Sequence, residues 1–275
     1  MSFVVADEQS DEEITDLLLQ DRSWTLYGLC DLELPFRQSA RFVGAREAGR
    51  LRAVVLAYSL PNLAILIPYG ETAAIRAILV GAQNLPAAAL YQSRSADHSA
   101  LNVHYNVDSV EEMYRMILAP LDFQAATADY ATLRLLTPSD SDELGSLHAQ
   151  WEEQVVFEAS MLDVGVHVGA FRGGELVAVS RTHCTSEPFG MAAVGGVFTH
   201  PEHRGHGLAA ATTSRLVEEL ARRDIHDVQL NVKQNNPAAI RSYLKIGFQI
   251  AGEFLEGSLS LKSPGDQPLP VAAPH

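Results

Sequence analysis

Two rhythms of apolar residues run along this chain. Helical spacing marks Asp11 to Arg22, with Ile14, Leu17 and Leu18 on one face and Ser10 placed as N-cap. A loop through Tyr27, Gly28 and Pro35 is expected next. Apolar runs rich in β-formers then predict strands at Ala40–Glu47, Leu51–Tyr58 and Leu63–Ile67, the first two joined through Ala48-Gly49. Glu71–Val80 reads as helix, Ala87–Tyr91 and Glu112–Leu118 as strands, and Ser95–Val107 fits either period. Pro120–Asp129 is the expected join between two halves.

The second half repeats the alternation. A strand at Thr132–Leu136 precedes helical segments at Asp140–Gln150 and Trp151–Leu162. Strands at Gly165–Phe171 and Leu176–Cys184 meet at Gly173-Gly174, and Met191–Thr199 is a further strand. Leu208–Arg223 places Ala209, Thr213, Leu216, Val217 and Leu220 on one helical face. Asp227–Val232 is expected as strand, Asn236–Ile246 as helix and Gly247–Phe254 as a final strand. From Ser263 the tail holds four prolines in 13 residues and is expected to be poorly ordered.

The halves look like copies. Phe42–Val55 and His167–Ser180, 125 positions apart, agree without a gap at seven of 14 positions: Val43/Val168, Gly44/Gly169, Ala45/Ala170, Gly49/Gly174, Leu51/Leu176, Ala53/Ala178 and Val54/Val179. The order helix, hairpin, strand, helix recurs in both, so duplication is the better explanation than shared hairpin composition.

Composition narrows the choice of partner. The 275 residues are 47% hydrophobic and 20% charged, a globular balance with room for two domains. A net charge of −14 argues against nucleic acid or an anionic membrane as the main partner. Cys30 and Cys184 form no metal-ligand or redox pattern. The N-terminus opens on Asp7, Glu8, Asp11, Glu12 and Glu13, the reverse of a secretory leader, and no apolar run reaches the ~20 residues that span a bilayer. A cytoplasmic protein is expected; a homodimer is left open.

Chemistry concentrates between Val194 and Arg223. The strand ending Val197-Phe198-Thr199 enters a polar turn, His200 to His206, from which a helix grows with Gly205 and Gly207 at its mouth. Helix N-termini offer unpartnered N–H groups and partial positive charge, and glycine lets backbone approach a ligand closely, so this is a seat for a diphosphate. The first half has Pro68-Tyr69-Gly70-Glu71-Thr72-Ala73 at the matching place. A carboxylate there would repel phosphate, so the first half is not expected to bind a nucleotide.

Arg204-Gly205-His206-Gly207-Leu208-Ala209 fits R/Q-x-x-G-x-G/A, and Asn236 to Phe248 fits N-x-x-A-x-x-x-Y-x-x-x-G-F. Together, from Thr132 to about Phe254, they resemble the GCN5-related N-acetyltransferase (GNAT) superfamily. The likeness is greatest to its FR47-like and glycine N-acyltransferase-like branch. The resemblance implies a mixed α/β (α+β) fold of two tandem GNAT-like domains, each a twisted, mainly antiparallel sheet flanked by helices. Residues 1–125 would be a degenerate copy without the loop, 130–258 the catalytic domain and 263–275 a tail.

It further implies acetyl-CoA, or another acyl-CoA, as co-substrate and a small amine as acceptor, with no metal. The backbone of Val197, Phe198 and Thr199 would pair with the pantetheine arm. The N–H groups from Arg204, Gly205, His206, Gly207, Leu208 and Ala209 would grip the pyrophosphate, with Asn236 nearby. Tyr243 matches the family's general acid for the leaving thiolate.

The base departs from the pattern. Met191–Thr199 contains no ionisable residue, and Ala193 stands where that branch has its glutamate. His183 ranks first among the remaining candidates, ahead of Glu187, Glu152 and Glu158. His200, His203 and His206 invite a metal reading, but a turn without cysteine or a fixed carboxylate suits phosphate better, with His206 turned to solvent. Trp151 and Phe157 are expected on the acceptor side or in the core. The alternative to an enzyme is an acyl-CoA-binding sensor or scaffold without turnover. A nucleotide fold of another type is disfavoured, because the loop lacks the Gly-Lys-Ser/Thr of a P-loop.

Overall fold

The first hairpin shows how local sequence becomes architecture. Ala40–Glu47 (β2) and Arg50–Leu60 (β3) are antiparallel, and the turn residues Ala48 and Gly49 both take positive φ, +50° and +82°. Such a turn matches the right-handed twist of its strands. The matching hairpin, His167–Arg172 (β8) and Glu175–Ser186 (β9), turns through Gly173 and Gly174 at φ +60° and +91°. The register slips after Ala45 in one hairpin and after Ala170 in the other, 125 residues apart. A bulge shared at the same repeat position adds to the case for duplication.

The computed structural model describes residues 2–60, 62–150 and 162–262. The helix expected from Trp151, with Trp151 and Phe157, and the tail from Ser263 lie outside the described residues. The chain divides into two compact units. One runs to Met113 and resumes at Glu253; the other is Tyr114–Gly252. The breaks therefore fall inside Tyr105–Leu118 (β6) and Gln249–Leu261 (β12), not in Pro120–Asp129 as the sequence suggested.

The first unit adds Val4–Asp7 (β1), Asp11–Leu18 (α1), Arg22–Cys30 (α2), Leu63–Gly70 (β4), Thr72–Gly81 (α3), Ala88–Ser93 (β5) and Ser95–Leu101 (α4). Its strands lie in the order β1-β2-β3-β4-β5-β12, antiparallel except β4 with β5. Ser10 caps α1 as expected, accepting from Glu13 N–H at 3.2 Å. The loop expected around Tyr27 and Gly28 is instead helix α2. Trp24, Leu26, Leu29 and Cys30 are buried along it, and that burial outweighs the helix-breaking tendency of Gly28.

The second unit adds Thr132–Leu135 (β7), Ser141–His148 (α5), Met191–Thr199 (β10), Leu208–Ala221 (α6), Asp227–Lys233 (β11) and Pro237–Ile246 (α7). Its order is β6-β11-β10-β9-β8-β7, with β10 and β11 parallel. Helix α6 buries Leu216, Val217 and Leu220 as expected, while Ala209 is only half-buried. Buried hydroxyls tie the helix to the sheet, with Ser180 Oγ 2.7 Å from Thr212 Oγ1 and 3.0 Å from Thr213 Oγ1. Each unit is thus a mainly antiparallel sheet flanked by helices. No helix among the described residues is long and apolar enough to cross a membrane.

Candidate active site

Strand β10 parts from β11 halfway along. Their ladder runs from Met191–Asp227 to Val194–Leu230 and stops, although β11 continues to Lys233. Register irregularities after Ala193 and Gly195, with Gly196 at φ +54°, bend β10 at that point. From Gly195 to Thr199 the edge facing β11 has no ladder partner. Its amide groups are available to an extended polar chain, which binds such an edge as an added strand would. Among the described residues, Thr199 Oγ1 on one arm of the wedge and Asn231 Oδ1 on the other are buried without a hydrogen-bond partner. Groups of this kind fit a ligand with amides of its own.

The glycine loop closes the wide end. Gly205 and Gly207 take φ of +83° and +74°, and a Cβ on either would meet nothing within 4 Å. Gly207 caps α6 without a side-chain hydrogen bond, and no acidic residue stands in the first turn. The N–H groups and helix dipole thus face open space. Arg204 anchors the loop to β10, its Nε donating to Thr199 O at 3.2 Å. Leu208 is buried against Ala170, Val177 and Ala178, so only its N–H can serve a ligand. The same holds for Phe198, whose ring packs with Leu144, Leu147 and Val179.

The three loop histidines have separate partners. His200 Nδ1 accepts from Glu202 N–H at 3.3 Å, and His203 Nδ1 lies 3.0 Å from Tyr130 Oη. His206 is exposed, but one ring face is covered by Tyr130, stacked at 3.7 Å and 8°. No metal-binding cluster of His, Cys, Asp or Glu occurs among the described residues.

Helix α7 carries the candidate acid. The Asn236 side chain accepts from Ala239 N–H at 3.1 Å, so it is engaged in capping, and Gly247 ends the helix at φ +106°. Tyr243 is buried in one cluster with Val194 and Val197 of β10, Val232 of β11 and Ala239 of its own helix. Burial pushes its phenol well above the ordinary 10. It therefore keeps its proton at neutral pH, as a donor must.

The base candidates differ in place and charge. Glu187 sits in the turn before β10, roughly 13 Å of strand from the start of the wedge. Glu152 and Glu158 lie outside the described residues. His183 projects from β9 over Gly195, where a Cβ would stand 2.2 Å from the ring. The residue keeps accessible surface. Desolvation there and the charge of Arg181 hold its pKa at about 4. It is neutral but weakly basic. His148 on α5 is likewise held at about 4, by burial and by Arg181.

Several residues of this site escaped the sequence reading. Asn231 was hidden in an ordinary strand alternation, and Gly195-Gly196 was read only as part of an apolar strand. Arg181 carried a signal, being the one charged residue in the buried run from Leu176 to Thr182.

Residues 130–248 match the model of the acetyltransferase (GNAT) family. A mycothiol acetyltransferase of Kytococcus sedentarius is 36% identical over 80 residues, 29% of this chain and 26% of that protein. The chain thus spans about a quarter of that relative's length. A Drosophila protein of known structure superposes with a TM-score of 0.73 at 15% identity, covering 93% of this chain and 99% of its own. A tandem GNAT protein from the clavulanic acid biosynthesis pathway does so with a TM-score of 0.61 at 12% identity, covering 95% and 99%. At these identities the likeness speaks for fold alone. Residues 130–248 are thus similar in sequence to the acetyltransferase (GNAT) family, and the solved structures share the fold.

Proposed function

On the premise that residues 130–248 form a GNAT acetyltransferase domain, we propose that the chain is an acyl-CoA-dependent N-acyltransferase acting on a primary amine by direct attack. The observation that carries this reading is one wedge combining three things: a free strand edge, an open glycine cradle at a helix N-terminus, and a buried, protonated tyrosine. Acyl-CoA is the substrate that supplies the activated acyl group. The β10 edge at Val197 and Thr199 aligns its amide-bearing arm, Thr199 Oγ1 and Asn231 Oδ1 meet further polar groups, and the N–H groups from Arg204 to Ala209 hold the diphosphate. Strand N–H groups near Val197 polarise the acyl carbonyl, and Tyr243 gives its proton to the departing thiolate.

His183 takes the amine's proton in this reading, directly or through water. With its pKa near 4 it serves only an amine that arrives already neutral. That weakness, with no carboxylate on β10, favours the second reading, an acyl-CoA-binding sensor without turnover. Release of free CoA thiol from acetyl-CoA, followed over a broad panel of amines, separates the two. Amine-dependent release is expected; tight binding with no release on any amine would leave the sensor. We read the first unit as a degenerate GNAT copy and the protein as a cytoplasmic member of the FR47-like branch.

A further inference from the structure

We infer that Tyr130 is a positioning residue for the diphosphate of acyl-CoA: its side chain holds the glycine loop in the shape that receives the ligand. The inference rests on the acyl-CoA seat proposed above and names the side chain on which that seat depends.

The glycines themselves give the loop little to hold that shape. Gly205 and Gly207 stand at φ +83° and +74°, and a Cβ on either would meet nothing within 4 Å, so packing at these positions does not brace the backbone. Glycine also has the most backbone freedom to lose when it is fixed. His206, between the two, is exposed, so burial does not hold it either. A loop that must order itself around a ligand binds it more weakly than one already ordered.

Tyr130 braces the loop at three successive points. At the entry, its Oη lies 3.0 Å from Nδ1 of His203, which ends the short turn Pro201–His203. In the middle, its ring stacks on the His206 imidazole, with centroids 3.7 Å apart and planes 8° from parallel. At the exit, it packs against the cluster of Ala170, Val177, Ala178 and Leu208, the last being the first residue of α6.

Tyr130 is itself fixed to the sheet. It stands two residues before β7, which pairs with β8. Arg172, the last residue of β8, donates from Nη1 to Tyr130 O at 2.8 Å. Its guanidinium carbon lies 3.7 Å from the centroid of the Tyr130 ring. Two groups cannot share one ring face at that distance, so the guanidinium takes the face opposite His206. Guanidinium, phenol and imidazole thus form one stack that runs from the sheet to the loop.

The test reads the loop and the ligand separately. Hydrogen–deuterium exchange of the ligand-free protein follows the amides of residues 203–208, and calorimetry follows acetyl-CoA. In Tyr130→Leu, loop exchange and the Kd for acetyl-CoA should each rise at least about fivefold, while β10 and the later turns of α6 keep wild-type exchange. Tyr130→Phe keeps the ring and loses the bond to His203, and should recover part of both. His206→Ala removes the stack from its other side. Combined with Tyr130→Leu, it should weaken acetyl-CoA binding by less than the two single losses together, because both remove the same contact. Wild-type affinity and loop exchange in Tyr130→Leu, or losses that simply add in the double variant, would overturn the inference. A weaker Kd with loop exchange unchanged would make Tyr130 a direct ligand contact and overturn it as well. If Tyr130→Leu does not fold, His206→Ala decides by the same two readouts. Failure of the wild type to bind acetyl-CoA defeats the seat reading beneath it, whereas wild-type binding that Tyr130→Leu leaves unchanged defeats this inference only.

Discussion

Tyr243 and His148 are perturbed in opposite senses by one cause. Burial disfavours charge, so it raises the phenol and lowers the imidazole. For Tyr243 the consequence is functional. Tyr243→Phe keeps the ring and its packing but removes the proton, and should lower kcat by more than about tenfold while acetyl-CoA affinity stays within about twofold. Unchanged turnover removes Tyr243 from the acid role. For the histidine the consequence is pH-dependent stability. In the fold it titrates near 4 against an ordinary 6.5. Between those values the unfolded chain takes up protons that the native state does not. Stability is therefore full above about pH 6.5 and falls as the pH drops toward 4. Urea unfolding at several pH values should show that slope, and His148→Gln should flatten it; a slope identical to wild type would contradict the stated shift.

Helix termini carry much of the site, and each end has its own cause. Gly207 needs no space, since a Cβ there meets nothing; what it supplies is a left-handed backbone at φ +74°. A β-branched residue there costs roughly 1–2 kcal/mol or moves the loop. Gly207→Val should weaken acetyl-CoA binding by more than about tenfold in calorimetry, and retained affinity would show that the diphosphate sits elsewhere. Before α5, Asp140 accepts from Thr137 N–H at 2.8 Å and takes a two-pronged contact from Arg134, at 2.5 and 2.9 Å. These contacts hold its carboxyl below the ordinary 3.8. Asp140→Ala should cost about 1–2 kcal/mol at pH 7, the half-exposed Arg134 adding little to the cap. A carboxylate with a lowered pKa stabilises above its unfolded value, so the gap between variant and wild type should narrow below about pH 4; a gap unchanged there would mean that packing, not charge, accounts for it.

In each unit a parallel ladder stops early, β10–β11 in the second and β4–β5 in the first. In the first unit, β4 and β5 pair only at Ile65–Leu90 and Leu66–Tyr91 before the ladder stops. Trp24 of α2 then donates its indole N–H to Pro68 O at 3.2 Å and packs edge-on to Tyr69 and Phe254. Pro68 has no N–H, so its edge of β4 makes no ladder, and the tryptophan takes the place a ligand would have. Glu71 stands at the N-cap of α3, paired with Arg52 at 3.2 Å. Calorimetry should therefore find one acetyl-CoA bound per chain. Two equivalents would show that the first unit has kept a seat.

Features built from neighbours along the chain were legible in the amino-acid order itself. The hairpins, the Ser10 and Asn236 caps, the glycine loop and the α7 face each depend on residues two to four apart, whose spacing is the geometry of the element. The wedge needed more. Strands β10 and β11 are about 30 residues apart in the chain, and where their ladder stops depends on bulges that alternation does not reveal. Arg181, His148 and Gly196 come from three elements, and a register change of one residue would turn Arg181 to the other face. Trp24 looked like loop because its partners, Pro68, Tyr69 and Phe254, lie 44 to 230 positions away. Local spacing thus pointed to the proposed cofactor seat and the proposed acid. Which strand edge stays open was decided by packing between distant segments, because side chains far apart in sequence come together only after the strands have chosen their register.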